Sequence, residues 1–171
     1  MSTSIQHQAG FTLLELVAVI LVLGVLAVFA AVRWQAIDTY TSTTQADQLA
    51  RDIRHAQTLA ISWGLPLRVS VNAGGTAYSV VCVNGTTVAP CVAAGNIVVD
   101  PVTSQPYTVT LPAGVTLAPV ASNTDFDNFG RPVAAGVLMS ANPARTFTLS
   151  GGGNTATVVV APITGFPQVA Y

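Results

Sequence analysis

Lysine is absent from this chain, and charge of either sign is scarce. Six arginines and seven acidic residues leave a net charge of −1, and charged residues make up 8% of the 171. No basic stripe exists to neutralise phosphates, so nucleic acid is not expected as a ligand. A soluble domain carries about 25% charged residues, so part of this chain is not ordinary cytosolic surface. Histidine is limited to His7 and His55, and cysteine to Cys82 and Cys91. Neither cysteine lies in a CxxC pair, so a metal site is not expected, nor is a cofactor. No Ser/His/Asp or Cys/His constellation with supporting context exists either, so the chain reads as a non-enzyme. The length suits one modest domain plus an anchor.

What is present is a long apolar run near the N-terminus. Residues 11–32 read FTLLELVAVILVLGVLAVFAAV, broken only by Thr12, Glu15 and Gly24. A spanning helix needs about 20 predominantly apolar residues, so residues 11–33 are expected to form a transmembrane helix. A buried core helix is the plainer alternative, but the run is apolar on every side. A secretory signal would place a small-residue cleavage site after the apolar core. Here Ala9-Gly10 precedes it, so the helix would stay with the mature protein. Glu15 is the anomaly, because a carboxylate within hydrocarbon costs about 2.5–3.5 kcal/mol on insertion scales. No Arg lies within a helical turn of it. The nearby cation would be a new α-amino group, made by cutting the chain before Phe11.

Gly10-Phe11-Thr12-Leu13-Leu14-Glu15, followed by the apolar helix, resembles the N-terminal signal of type IV prepilins and secretion pseudopilins. The resemblance implies that residues 1–10 are a leader removed by a prepilin peptidase between Gly10 and Phe11. It implies that the same enzyme, acting as methyltransferase, N-methylates Phe11. It also implies that Glu15 pairs with the N-terminal amine of a neighbouring subunit during assembly, where each charge would neutralise the other in low dielectric. Two features depart from the common pattern: the leader MSTSIQHQAG has no Lys or Arg, and Val32-Arg33 stands where many pilins have a proline.

Beyond the apolar run the helix is expected to continue over residues 34–64. Ala46, Leu49, Ile53, Ala56, Ala60 and Trp63 form an apolar stripe on one face. The other face carries Asp47, Gln48, Arg51, Asp52, Arg54 and His55, with Asp47 and Arg51 as a favourable i,i+4 pair and His55 solvated. Gly64 and Pro66 end the helix. Residues 65–171 read as a β-rich domain. Leu67–Val71 and Ala77–Val83 form a hairpin around Asn72-Ala73-Gly74-Gly75. Further strands are expected at Ile97–Val99, Tyr107–Leu111, Val115–Ala118, Gly136–Met139, Arg145–Leu149 and Thr155–Ala161. The Gly-rich turn 151–154 lies between strands with no lysine nearby, so it is not a phosphate loop.

The blocks Ala46–Val71 and Phe126–Pro132 (FDNFGRP) resemble the minor pilins and pseudopilins of the GspH/FimT/MshC-like group. That resemblance implies an α+β fold: a long N-terminal α-helix, half in the membrane, packed on antiparallel β-sheet. Arg131 is expected to cap a turn rather than make a surface contact. Cys82 and Cys91 enclose a short loop and are expected to form a disulfide, a buried free thiol being the alternative.

The functional expectation is a structural subunit of a type IV pilus, of MSHA type for example, or of a type II secretion pseudopilus. Its partners would be the peptidase, other pilin or pseudopilin subunits, and the inner membrane before assembly, with the C-terminal domain in the periplasm. The alternative is a pilus-tip module for adhesion or DNA uptake. The tail Pro162–Tyr171 holds no Arg or Lys, which disfavours DNA.

Overall fold

A computed structural model describes residues 13–87, 89–141 and 143–171, apart from the side chains of residues 29–41. The chain divides into two compact units, residues 1–37 and Asp38–Tyr171. The architecture is α+β, one long helix and antiparallel sheets, as the sequence implies. Helix α1 runs Leu13–Trp63.

In the second unit, α1 buries Ala46, Leu49, Ala50, Ile53, Ala56, Leu59 and Ala60. The expected stripe is therefore the core face, widened by Ala50 and Leu59, with Trp63 partly buried at its end. Alanines at four of these seven positions let the helix lie close to the strands, while Leu49 and Ile53 each contribute about 1.5–3 kcal/mol by burial. The helix ends in a two-bond cap. Leu65 donates its N–H to the Ala60 carbonyl and Gly64 donates to Ile61, with Gly64 at φ 65°. This is the arrangement that satisfies the last helical carbonyls and that glycine at the left-handed position permits.

Ten strands follow among the described residues: β1 Leu67–Val71, β2 Ala77–Cys82, β3 Thr108–Thr110, β4 Thr116–Ala118, β5 Asn123–Phe126, β6 Pro132–Ala134, β7 Val137–Leu138, β8 Arg145–Gly151, β9 Asn154–Val160 and β10 Pro167–Ala170. They form a six-stranded sheet, β3-β2-β1-β5-β6-β7, and a four-stranded sheet, β10-β9-β8-β4. Every strand pairing is antiparallel. Alternation sets the inner face of each sheet. Leu67, Val69 and Val71 of β1 point inward with Tyr78, Val80 and Cys82 of β2; Phe147 and Leu149 of β8 do so with Ala156, Val158 and Val160 of β9. The β1–β2 and β8–β9 hairpins pair in full register around 72–76 and 152–153.

Two expectations about pairing need correction. Ile97–Val99 forms isolated bridges, Val81 to Ile97 and Val99 to Pro106, rather than a strand. Asp47 and Arg51 do not make one of the two ion pairs among the described residues. The Asp47 carboxylate accepts instead from the Tyr171 hydroxyl at 2.8 Å, a tether from helix to C-terminus.

Candidate functional site

The first feature that sets this chain apart is the apolar start of α1. Every described side chain from Leu13 to Val28 is exposed, Leu13 by 83% and Leu21 by 66%. An aliphatic surface of this extent, broken between Leu13 and Val28 only by Glu15 and Gly24, is not stable against water and marks a site that something else covers. Glu15 lies in its first turn and is the only glutamate in the chain. A carboxylate in the first turn faces the positive end of the helix dipole. Gly10 and Phe11, the expected cleavage and methylation positions, lie outside the described residues. So does part of the expected membrane-spanning segment 11–33, and no helix among the described residues is long and apolar enough to cross a membrane.

The second unit carries the polar clusters. Tyr78 of β2 donates its hydroxyl to Asp52 Oδ2 at 2.5 Å, and Tyr107 donates to Asp52 Oδ1 at 3.1 Å. The Tyr107 oxygen also lies 3.4 Å from His55 Nδ1, and the two rings pack with centroids 5.5 Å apart. His55 is therefore a packed, half-buried partner rather than a solvated one. Burial pushes the Asp52 carboxyl above its ordinary range, against the two hydroxyl bonds and the nearby Arg51 and His55. Burial beside the same carboxylate pushes both tyrosine hydroxyls up. The sequence reading placed Asp52 on the polar face and missed this cluster. Its signal was the position of Asp52 beside Ile53 and Leu49, at the rim of the buried stripe.

Arg131 closes the β5–β6 turn, as expected. Asp127 Oδ1 accepts the backbone N–H groups of Phe129 and Arg131, both at 2.9 Å, while Oδ2 accepts from the Arg131 guanidinium at 2.7–2.8 Å. Partial burial pushes the Asp127 carboxyl up, but these donors outweigh it and hold it below its ordinary value. Next to it, Arg68 and Asp125 form a bidentate pair with bonds of 2.6 and 2.8 Å. Both pairs line a cleft of about 570 Å³ between the helix end and β6–β7. The four charges compensate one another, and no nucleophile or histidine joins them. The described residues hold no group of three or more His, Cys, Asp or Glu that could bind a metal.

Cys82 and Cys91 are joined in a disulfide with a Cα–Cα distance of 5.6 Å, and both are buried. The bond ties the end of β2 to the 83–91 loop, and Thr86 binds the Cys91 carbonyl through both its N–H and its hydroxyl.

The family model of the prokaryotic N-terminal methylation motif matches residues 5–31. The chain thus resembles a type IV pilin: it carries a methylation motif near its start, and a long helix leads into antiparallel sheets. Two crystal structures of the type IV minor pilin FimU from Pseudomonas aeruginosa are similar to it. One is 14% identical with a TM-score of 0.47, covering 75% of this chain and 86% of FimU. The other is 15% identical with a TM-score of 0.49, covering 75% and 91%. No curated protein matches the chain.

Proposed function

We propose that this chain is a minor pilin or pseudopilin, a non-catalytic subunit built into a type IV pilus or a type II secretion pseudopilus. The observation that carries the reading is the start of α1. An exposed aliphatic stretch, Leu13–Val28, holds a single carboxylate, Glu15, and lies within the residues that the methylation motif matches. Before assembly the aliphatic surface would lie in the inner membrane as a single span, residues 11–33, with the sheets in the periplasm. After cleavage between Gly10 and Phe11, the same surface would pack against neighbouring helices in the filament. Glu15 would there meet the N-methylated amine of Phe11 from an adjacent subunit, which compensates a charge that is otherwise costly in low dielectric. The disulfide agrees with an oxidising compartment. The FDNFGRP turn and the helix-to-β1 block favour the GspH/FimT/MshC-like group of minor subunits.

The test is assembly in a host that has the peptidase and the filament machinery. Wild-type chain is expected in the sheared filament fraction, and Glu15→Ala is expected to be processed, folded and disulfide-bonded but retained in the membrane. Incorporation of Glu15→Ala at the wild-type level would refute the role given to this carboxylate.

A further inference from the structure

One exposed patch of the second unit is unusually well fixed for a surface. Gln57 of α1 donates from Nε2 to the Gly130 carbonyl at 2.7 Å and to the Thr164 carbonyl at 3.2 Å. Two loops, 127–131 and 162–166, are thereby held against one flank of the helix. The first loop presents Phe129, 66% exposed, and its next residue, Gly130, lies against Ile61 of α1, which is 56% exposed. The second presents Ile163 and Phe166, both about half exposed. Ile163 sits at φ 65°. A β-branched residue is strained in that region, and such strain gathers at binding surfaces. Its N–H is committed to the Met139 carbonyl at 3.0 Å, so the loop does not relax freely.

The charge on the patch is one-sided. Arg54 stacks over the Phe166 ring at 4.6 Å and donates to the Pro167 carbonyl at 3.0 Å. It belongs to neither ion pair among the described residues, and its guanidinium keeps further donors for an incoming acceptor. Arg131 stacks on Phe129 at 5.0 Å, but Asp127 neutralises it. A surface of exposed aromatic and aliphatic side chains around one stacked, uncompensated arginine has the composition of an interface anchor. Its complement is a carboxylate carried beside an aliphatic side chain. This chain displays that chemistry itself. The Asp100 carboxylate is fixed by the Val102 N–H and the Thr103 hydroxyl, with Val102 81% exposed beside it. A patch and a complementary tip at different places on one subunit make a head-to-tail contact, which propagates rather than closes.

We propose that the Arg54–Phe129–Ile163–Phe166 patch is the docking surface for the globular domain of a neighbouring pilin-like subunit, which places an acidic-aliphatic tip on it. The proposal rests on the subunit reading above and adds a second, sheet-domain contact to the helix contact.

The experiment compares filament incorporation with membrane content and N-terminal processing for full-length variants in the assembling host. Ile163→Asn relieves the strained backbone while removing the apolar side chain, so its melting temperature should hold or rise while incorporation falls about tenfold, the scale of losing one interface anchor. Phe129→Ser and Arg54→Glu should lower incorporation similarly with processing intact, and Arg54→Lys should retain most of it. Wild-type incorporation of Ile163→Asn and Phe129→Ser would overturn the proposal. Equal losses for Arg54→Lys and Arg54→Glu would overturn its electrostatic half. If the wild-type chain is neither processed nor incorporated, the subunit reading itself falls and takes the docking surface with it. If Glu15→Ala fails to assemble and the patch variants succeed, the subunit reading stands and the patch alone is wrong.

Discussion

Tyr78 reaches from β2 to donate its hydroxyl to Asp52 of α1, a bond of 2.5 Å that pins the helix to the six-stranded sheet. Tyr78 is almost fully buried and Asp52 half-buried, so the bond is partly shielded from water. Tyr78→Phe removes the donor and leaves a carboxylate with one hydroxyl partner, Tyr107. The expected loss is about 1.5–3 kcal/mol, the range for a bond to a charged group. Denaturant unfolding of the disulfide-intact protein measures it.

The same carboxyl gives a pH dependence of defined sign. Its folded value is raised above the ordinary 3.8, chiefly by burial. The native state therefore holds its proton more tightly than the unfolded chain does. The stability this supplies is complete below the ordinary value and is lost as pH rises through the raised one. Asp52→Asn keeps an acceptor for the tyrosines and cannot ionise. Relative to that variant, wild-type protein should lose unfolding free energy as the pH climbs from below 3.8 towards neutrality. A difference that is flat with pH would contradict the assignment.

Gly75 makes the turn of the first hairpin into a clamp between the sheets. It adopts φ 63°, and its carbonyl accepts from Leu117 of β4 at 2.8 Å. A Cβ there would come within 2.5 Å of the Leu117 carbonyl oxygen, which is backbone and cannot step aside. Gly75→Ala should cost about 2–4 kcal/mol through the clash and the backbone conformation together. A thermal melt that loses only a degree or two would show that the clamp yields more easily than the packing implies.

Breaking the Cys82–Cys91 bond opens a loop of sequence separation 9. Chain entropy for a loop of this size predicts a loss of about 2–3 kcal/mol. Both sulfurs are buried, so Cys82→Ala with Cys91→Ala should be tolerated better than serines, which would bury two hydroxyls. Melting curves of the two double variants, with and without reductant for the wild type, give the comparison.

How much of this was legible in the sequence follows from the range of the signals. The stripe from Ala46 to Trp63 and the Gly64-Leu65-Pro66 stop are local patterns, and they identify the packed half of α1 and its end. The β1–β2 and β8–β9 hairpins are carried by alternation and by turns rich in glycine and asparagine. Three strands were not legible. β5 (NTDF) and β6 (PVA) are short and polar or proline-bearing; β5 exists because β1 offers an edge to pair with, and β6 because β5 then offers the next. β10 starts at Pro167 and is fixed by pairing with β9 and by Arg54. Ile97–Val99 has strand-like residues but too little partner backbone to extend beyond bridges. The Asp52 cluster depends on Tyr78 and Tyr107 arriving from distant segments, which no local pattern encodes. The Arg131 turn is closed locally, by Asp127 four residues away, although Asp127 itself was not singled out in the sequence. The roles expected of Gly10, Phe11 and Glu15 come from the resemblance of residues 10–15 to a prepilin signal.

The measurement that bears most directly on the account is the intact mass and N-terminal sequence of the protein recovered from a host with a prepilin peptidase. The account predicts a chain that has lost residues 1–10 and begins with N-methylated Phe11. A chain that still begins at Met1, in a host shown to process its own prepilins, would contradict it.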